Sequence, residues 1–286
     1  MKKLFTTSIL FVTLLALSCS KENPSVCNPG PLPVSFAVTG LNASVTTKTA
    51  EVTGANLSEF YVAATTGSGQ SQVEAWNNAV FTCVSSSWVA EGIYWPESDP
   101  NYNFFASNRP MTVSANGATV AATSDYDVIC AYKESSSVSY KHTNNLVFKH
   151  IFARIGKCKI QAPEGCTVTG LSVSVVPKTG GTFSVANVET GGGWTSPVTG
   201  TSTVIANTLN SDTRADLYLL PGQYTFTASY TLTKGNYNES FTKTANLSLQ
   251  AGVISDLSST LVFGGSTLEF GVTVTPWTTS NLNLSF

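Results

Sequence analysis

The stretch that most constrains the fold is Leu146–Ile160, near the middle of the chain, because it is apolar on both faces at period two. The residues of one face are Leu146, Phe148, Phe152 and Ile160, and those of the other are Val147, Ile151, Ala153 and Ile155. A strand that is apolar on both faces is usually covered on both, which predicts a position inside a β-sandwich. Runs of short strand-like segments precede and follow it, so we expect it to open a second domain.

The rest of the chain alternates over short segments that end at Gly, Asn, Ser or Pro, and no long segment has a helical period. Pro221-Gly222, for example, is typical of a tight turn between two strands. Charged residues make up only 11% of the 286 residues, and exposed helices normally need more. The sequence therefore predicts an all-β protein with one sandwich at 34–144 and a second at 145–286.

The net charge of −2 is too small to indicate a nucleic-acid partner. We therefore expect no nucleic-acid binding.

The first residues are typical of an export signal. Lys2 and Lys3 precede a short apolar stretch that is too short to span a bilayer, which predicts a signal peptide at 1–18. Ala16-Leu17-Ser18-Cys19 resembles a bacterial lipobox, so Cys19 is the expected lipidation site, palmitate being one of the acyl chains to expect. An ordinary secretory signal with an incidental cysteine is the alternative.

A proline-rich tether is predicted at 19–33, with prolines at positions 24, 29, 31 and 33. Ser20-Lys21-Glu22 resembles the short tags that send lipoproteins of Bacteroidetes to the outer cell surface. The expected location is the cell surface, with a lipid anchor in the outer membrane.

Five cysteines remain after Cys19, at positions 27, 83, 130, 158 and 166, so at least one is free or pairs between chains. Cys158 and Cys166 flank Pro163-Glu164-Gly165 and are a candidate disulfide if they face each other on a hairpin. The sequence has no C-x-x-C and no cluster of His and Cys, so we expect no metal site.

Candidate catalytic groups are few. His142 lies in a polar segment, whereas His150 alternates with Phe148 and Phe152 and is expected to be a hydrogen-bonded core histidine. Asp125 and Asp127 are a candidate carboxylate pair on one strand face, or else turn residues.

Asp212 and Asp216 bracket Arg214 and predict a loop with local charge pairing. No nucleophile elbow, zinc-protease helix or phosphate-binding glycine loop is present. We therefore expect no enzyme and no cofactor. An enzyme would require a pocket that joins His150 to a carboxylate.

Trp88, Trp95 and Trp194 are candidates for stacking on sugars, although most tryptophans of a β-sandwich belong to the core. A glycan-binding lipoprotein anchored at the surface is therefore the alternative function, and it requires aromatic rings on one exposed face.

The chain ends on a strictly alternating segment, with Leu282, Leu284 and Phe286 on one face. It is either an ordinary edge strand or a strand that a neighbouring molecule accepts, its apolar side chains filling pockets there.

Several segments together resemble the fimbrillin family of Bacteroidetes, whose Mfa-like and FimA-like members are lipoprotein precursors of surface pili. These segments are Tyr94-Trp95-Pro96, Phe104-Phe105-Ala106-Ser107 with Pro110, Asp127–Ala131, Leu146–Ile155, Leu219–Gly222 and Val272–Trp277.

The resemblance implies two tandem transthyretin-like sandwiches of Greek-key type, and assembly by donor-strand exchange. A trypsin-like protease would cut after Lys48 and remove a first strand within 34–45, and a C-terminal strand within 268–286 of another subunit would replace it. The implied partners are other fimbrial subunits, in a homopolymer or heteropolymer, with cell adhesion to a host or bacterial surface ligand. An uncut subunit would stay anchored through Cys19.

Overall fold

The computed structural model describes residues 33–39, 52, 57–66, 73–84, 87–94, 102–134, 144–211, 213–265 and 267–277. The predicted signal peptide and Cys19 lie outside the described residues, as do Lys48, His142, Asp212 and the last nine residues.

The described residues form twenty strands and one 3-10 turn, Val185–Asn187. In the first half the strands are β1 Pro33–Thr39, β2 Glu59–Thr66, β3 Val73–Val84, β4 Ser87–Tyr94, β5 Tyr102–Ser107, β6 Thr112–Ser114, β7 Gly117–Thr123, β8 Ile129–Glu134, β9 Asn144–Val147 and β10 Lys149–His150. In the second half they are β11 Ala153–Gln161, β12 Thr167–Val175, β13 Lys178–Ser184, β14 Trp194–Thr199, β15 Thr203–Ala206, β16 Thr213–Leu219, β17 Gly222–Lys234, β18 Tyr237–Leu249, β19 Val253–Thr260 and β20 Gly271–Pro276. The all-β prediction is confirmed. Within the described part of the chain, no helix has both the length and the apolar character needed to cross a membrane.

The strands form four sheets. An eight-stranded sheet has the order β10-β8-β5-β2-β3-β4-β1-β9, and its two ends belong to neighbouring strands of the chain, separated only by Phe148. Two four-stranded sheets, β16-β11-β19-β20 and β15-β12-β17-β18, enclose the core of the second half between them. The fourth sheet, β14-β13-β7-β6, takes two strands from each half of the chain.

Alternation decides which side chains enter these cores. In β17 every second residue from Tyr224 to Leu232 is buried, and the intervening residues are mostly polar. The hairpin of β17 and β18 keeps this register without interruption from Gly222 opposite Leu249 to Lys234 opposite Tyr237. A strand with one apolar face can satisfy its backbone in the sheet and bury that face against the facing sheet.

The strands of the eight-stranded sheet supply the first core, which contains Phe36, Phe60 and Phe148, and the core of the second half is the second. A third core, the shared core, takes residues from both halves of the chain. It contains Phe105 and Val120 from the first half, and Phe152, Phe183 and Trp277 from the second. β7 and β13, which both contribute to this core, pair from Thr119 opposite Ser184 to Thr123 opposite Gly180. The described residues between 33 and 277 fall in one unit. The division into sandwiches at 34–144 and 145–286 therefore stays a prediction.

Leu146–Ile160 is not one strand. Its first part forms β9 and β10 at the two ends of the eight-stranded sheet, and its last part forms β11 in another sheet. Leu146 and Phe148 enter the first core, Ile151 and Phe152 the shared core, and Ile155 and Ile160 the second. The prediction that this stretch is one continuous strand is wrong, because the chain changes sheets at Ile151–Phe152. Its role as the opening of a second domain stays a prediction.

A β-bulge at Gly156 explains why Ile155 and Ile160 share a core although their spacing assigns them to opposite faces. The register between β11 and β16 shifts between Ile155 and Lys157, and a shift against β19 occurs at the same place. A β-bulge adds one residue to a strand and thereby exchanges its two faces. The backbone N–H of Lys157 donates to Asp256 Oδ1 at 2.9 Å, which satisfies a donor that the bulge removes from regular pairing.

Candidate assembly site

The candidate site is the position that β1 occupies in the eight-stranded sheet. On one side β1 pairs antiparallel with β4, with Ser35 opposite Val89 and Phe36 opposite Trp88. On the other side it pairs parallel with β9, from Phe36 opposite Asn144 to Thr39 opposite Val147. An inserted strand of this kind satisfies backbone groups of two neighbours at once, so its removal would leave both neighbours with unpaired groups.

Phe36 anchors β1 in the first core. Its side chain is fully buried, and its ring meets the ring edges of Phe81 and Phe104 at centroid distances of 5.0 and 5.3 Å. Edge-to-face contacts at this distance are the favoured geometry for aromatic rings. Burying a phenylalanine contributes about 1.5–3 kcal/mol from area alone. Phe36 therefore helps to hold β1 in the sheet.

At the other end of the described chain, β20 is an exposed strand that pairs with β19. All six of its residues are exposed, and Val272 and Val274 point apolar side chains into solvent. Trp277 ends the described chain as a buried residue, and its backbone N–H donates to the carbonyl of Gly252 at 2.7 Å. The tail after Trp277, with the candidate donor residues Leu282, Leu284 and Phe286, lies outside the described residues.

A buried pair of Asp127 and His150 binds the chain downstream of β1. Asp127 is 1% exposed, and its carboxylate oxygens lie 3.0 and 2.9 Å from Nδ1 of His150, which is 4% exposed. The same carboxylate accepts a hydrogen bond of 2.8 Å from the backbone N–H of Val52, four residues after Lys48. The prediction that His150 is a hydrogen-bonded core histidine is confirmed.

The pair continues into a stack of rings that reaches the start of the C-terminal tail. The His150 ring lies parallel to the Trp277 indole, 4.1 Å between centroids, and Trp277 stacks in turn on Tyr218 at 5.3 Å. The guanidinium of Arg154 lies 5.6 Å from the centroid of Trp277 and donates from Nη2 to Asp216 Oδ1 at 2.7 Å. The sequence does not predict this cluster, because its members are far apart in the chain and no local pattern brings them together.

The structure separates the acidic residues that the sequence groups. Asp125 lies in a turn, is exposed and accepts from the hydroxyl of Thr123, while Asp127 faces His150, so the carboxylate pair is wrong and the alternative of a turn residue is confirmed for Asp125. Asp216 lies in strand β16 and pairs with Arg154 from the neighbouring strand, so the predicted loop is wrong at this residue. Asp216 has a φ of 40°, a left-handed conformation that the register shift opposite Gly156 imposes.

The hairpin that suggested a Cys158–Cys166 disulfide is also wrong, because β11 and β12 lie in different sheets. Both thiols are free in the structure, with Cys158 fully buried and Cys166 half-buried against the second core. Burial raises the pKa of Cys158 to about 12. The disulfide itself stays a prediction.

His150 lies beside a cavity. His150 and Trp277 border a cavity of about 750 Å³ whose rim carries the ion pair of Lys149 and Glu189. His150 is thus joined to a carboxylate beside a cavity, which is the arrangement that the enzyme hypothesis requires. The Trp277 indole, however, covers one face of the ring, and among the described residues no hydroxyl or thiol hydrogen-bonds to it.

No group of three or more potential metal ligands occurs in the described residues.

The tryptophans proposed for glycan stacking are mostly packed. Trp88 is 8% exposed and lies 4.9 Å from the ring of Phe60, and Trp194 is half-buried between Phe152 and Phe183. Trp95 lies outside the described residues. Trp88 and Trp194 are thus packed against core aromatic rings, which does not favour sugar stacking.

Comparison with known proteins gives the following matches. A family model described as fimbrillin-like matches residues 44–277. None of the curated proteins matches this sequence. A fimbrial protein from Bacteroides vulgatus ATCC 8482 is 16% identical, with a TM-score of 0.54, 86% of this chain and 99% of that chain being covered. A putative cell adhesion protein from Parabacteroides distasonis ATCC 8503 is 12% identical, with a TM-score of 0.56 and coverage of 86% and 97%. At these identities the likeness is one of fold.

Proposed function

Because the chain belongs to the fimbrillin-like family, we propose that it is a non-enzymatic pilus subunit or accessory adhesin that assembles by donor-strand exchange at the cell surface. The observation that carries the proposal is the insertion of β1 between β4 and β9, with Phe36 buried in the first core. Loss of a first strand in this position opens a slot along two neighbours at once.

The cut that frees β1 would follow Lys48, nine residues after β1 ends and eleven before β2 begins. Residue 52, which is anchored on Asp127, lies on the retained side of that cut. Cleavage would therefore release the segment that carries β1 and the lipid anchor, while the chain from Val52 onward stays attached to the body.

The energetics favour uptake of another strand. Each buried backbone group left without a partner costs about 1–3 kcal/mol, and loss of Phe36 opens an apolar cavity beside Phe81 and Phe104. An incoming strand pairs the free backbone groups and fills the apolar cavity. Because its own body offers the same slot to the next molecule, the assembly is head-to-tail and does not close, so it grows as a fibre.

Export and anchoring precede assembly in this scheme. The lipobox places acyl chains on Cys19, palmitate being one of them, and Ser20-Lys21-Glu22 directs the lipoprotein to the outer face of the outer membrane. Main-chain hydrogen bonds and apolar contacts bind the incoming strand, so the function requires no cofactor. The partners are other fimbrial subunits, and an adhesion ligand lies on a host or bacterial surface. A surface-anchored glycan-binding lipoprotein is the alternative, and the packing of Trp88 and Trp194 weighs against it.

The test uses the purified chain from Ser20 onward, treated with limiting trypsin and run on denaturing gels with and without boiling. The expected result is a ladder that collapses on boiling, with Thr49 as the new N-terminus by mass spectrometry. Lys48→Gln is the matched control and should give no ladder.

A chain that is cut after Lys48 and stays monomeric would overturn the proposal. A chain that resists cutting at Lys48 while its body is folded would instead indicate an uncut subunit anchored through Cys19.

A further inference from the structure

The loop between β19 and β20 presents apolar side chains to solvent. Val262 is 47% exposed and Phe263 is 37% exposed, and Tyr237, the first residue of β18, is 47% exposed. The rings of Tyr237 and Phe263 meet edge to face at 5.2 Å, and the ring of Phe241 lies 6.2 Å from that of Phe263. Exposed apolar groups that cluster in this way mark a binding site, whereas singly exposed ones need no explanation.

Two hydrogen bonds from the protein interior fix this loop. The buried Tyr230 donates its hydroxyl to the carbonyl of Val262 at 3.0 Å, and the fully buried Lys243 donates its ammonium group to the carbonyl of Gly264. These two acceptors flank Phe263 in the chain. The backbone on both sides of Phe263 is therefore held in place, so a ligand that binds there does not have to order it.

Phe263 borders two cavities. One, of about 340 Å³, is lined by Lys234, Tyr237 and Phe263 itself. The other, of about 690 Å³, has hydroxyl, amide and carboxylate side chains in its wall, from Gln161, Ser258, Thr260, Thr267 and Glu269. Ligand sites in proteins have volumes of this order and combine aromatic groups with a few polar ones.

The lining of the two cavities carries no net charge. Among the described residues that line them, Glu269 supplies one negative charge and Lys234 one positive charge. An acidic ligand in the larger cavity would meet the carboxylate of Glu269 without a cationic side chain beside it. The charge balance therefore favours a neutral ligand.

We propose that the surface around Tyr237, Phe263 and Glu269, called here the Phe263 site, binds a neutral oligosaccharide. A sugar ring has an apolar C–H face that packs on an aromatic ring, and hydroxyl groups that need donors and acceptors. The Phe263 site supplies both kinds of group. The centre of a protein–protein interface is more apolar than this polar lining, which disfavours a protein ligand.

This inference rests on the adhesion part of the proposed function and names a ligand class for it, but it does not involve strand exchange. Sugar stacking requires aromatic rings on one exposed face. Tyr237 and Phe263 form such a face, whereas Trp88 and Trp194 are packed against core rings.

Binding of the intact, uncut chain from Ser20 onward to an array of neutral and acidic oligosaccharides tests the inference. We expect binding to neutral oligosaccharides, with dissociation constants then measured by calorimetry. Phe263→Ala should weaken binding at least about tenfold, because it removes the ring on which the sugar packs. Phe263→Tyr keeps the ring and should bind like the wild type. Val204→Ala is the matched control, because Val204 is 54% exposed in β15, outside the site.

Three results would overturn the inference: no binding to the neutral oligosaccharides, binding to acidic ones alone, or equal dissociation constants for the wild type and Phe263→Ala. Self-association of the uncut chain that Phe263→Ala abolishes would also overturn it, because it would identify a protein interface.

Urea denaturation shows whether Phe263→Ala is folded. If it is not, Glu269→Gln replaces it as the deciding variant, because the two side chains have nearly the same size. A carboxylate accepts hydrogen bonds from hydroxyl groups more strongly than an amide does, so Glu269→Gln should bind at least about threefold more weakly. Unchanged binding by this variant would then overturn the inference.

The trypsin ladder separates this inference from the proposed assembly. Phe263→Ala should still form the ladder, because the residues of the Phe263 site lie outside the eight-stranded sheet. A ladder without oligosaccharide binding would reject the Phe263 site and leave strand exchange standing. Oligosaccharide binding without a ladder would reject strand exchange and leave the Phe263 site standing.

Discussion

Asp127 is the buried carboxylate on which both the His150 ring and the Val52 amide depend. Replacing it with alanine removes the acceptor of a buried donor, the His150 ring, and of a half-buried one, the Val52 N–H. Each buried donor left unsatisfied costs about 1–3 kcal/mol. We expect Asp127→Ala to lower the free energy of unfolding by about 3 kcal/mol, measured by urea denaturation. Asp125→Ala is the matched control, because Asp125 is exposed and should change the free energy by no more than about 0.5 kcal/mol. Equal effects of the two substitutions would contradict the account of this cluster.

The cysteine thiols differ in burial and therefore in reactivity. Burial raises the pKa values of Cys130 and Cys158 to about 12, so at pH 8.5 both stay protonated in the folded protein, whereas Cys83 is exposed. Iodoacetamide should label Cys83 in the native protein, and Cys130 and Cys158 only after unfolding, as read by peptide mass spectrometry. A Cys158–Cys166 linked peptide in the unreduced digest would confirm the predicted disulfide, and rapid native labelling of Cys158 would contradict its burial.

The burial of Tyr224 makes the folded protein sensitive to alkali. Its pKa is raised from 10 to about 12 by burial, so between these pH values the unfolded chain has lost a proton that the folded chain keeps. The free energy of unfolding should therefore fall as the pH rises from about 10 to 12. Tyr224→Phe, which removes the titrating hydroxyl, should flatten this fall in urea titrations. An unchanged slope in the variant would contradict the assignment.

At the scale of single strands, the bulge in β11 depends on Gly156. A Cβ atom at this position would lie 2.4 Å from Asp256 Oδ1 and 2.8 Å from Ile254 Cγ2, so these two side chains of β19 would have to move. We expect Gly156→Ala to lower the free energy of unfolding by about 1–3 kcal/mol, as overpacking does. Gly192→Ala is the control, because its Cβ would meet only the Thr190 hydroxyl at 3.6 Å. If Gly156→Ala is as stable as the control, the bulge tolerates a side chain and the account of it is wrong.

The sequence predicted strands well and sheets poorly, and the reason is visible in β11. Alternation is a local property, so the burial of Phe148 and His150 followed from their neighbours. The bulge at Gly156 and the change of sheet at Ile151 depend on β16 and β19, which lie far along the chain. Local patterns carry no record of such partners, and the same limit hid the pairing of Arg154 with Asp216.

The candidate site was predictable in part. The first strand and its approximate place followed from the alternation of Val34–Val38 and from the family resemblance. Its insertion between β4 and β9 did not, because the parallel pairing joins residues more than a hundred positions apart. The contacts of Phe81 and Phe104 with the Phe36 ring likewise could not be predicted without the fold.

At the scale of the whole molecule, donor-strand exchange requires that β1 leave while the rest of the chain stays folded. The arrangement of the cores agrees with this requirement. Phe36 belongs to the first core alone, whereas the shared core and the pairing of β7 with β13 tie the two halves together without it. Local opening of one strand is then less costly than unfolding of the body.

Hydrogen–deuterium exchange before cleavage, after cleavage and in the polymer tests this claim most directly. We predict that removal of the cleaved β1 fragment speeds exchange in β4 and β9, leaves the hairpin of β17 and β18 protected, and that polymerisation restores protection to both slot strands. Unchanged exchange in β4 and β9 at all three stages, or loss of protection across the whole chain on cleavage, would contradict strand replacement in this slot.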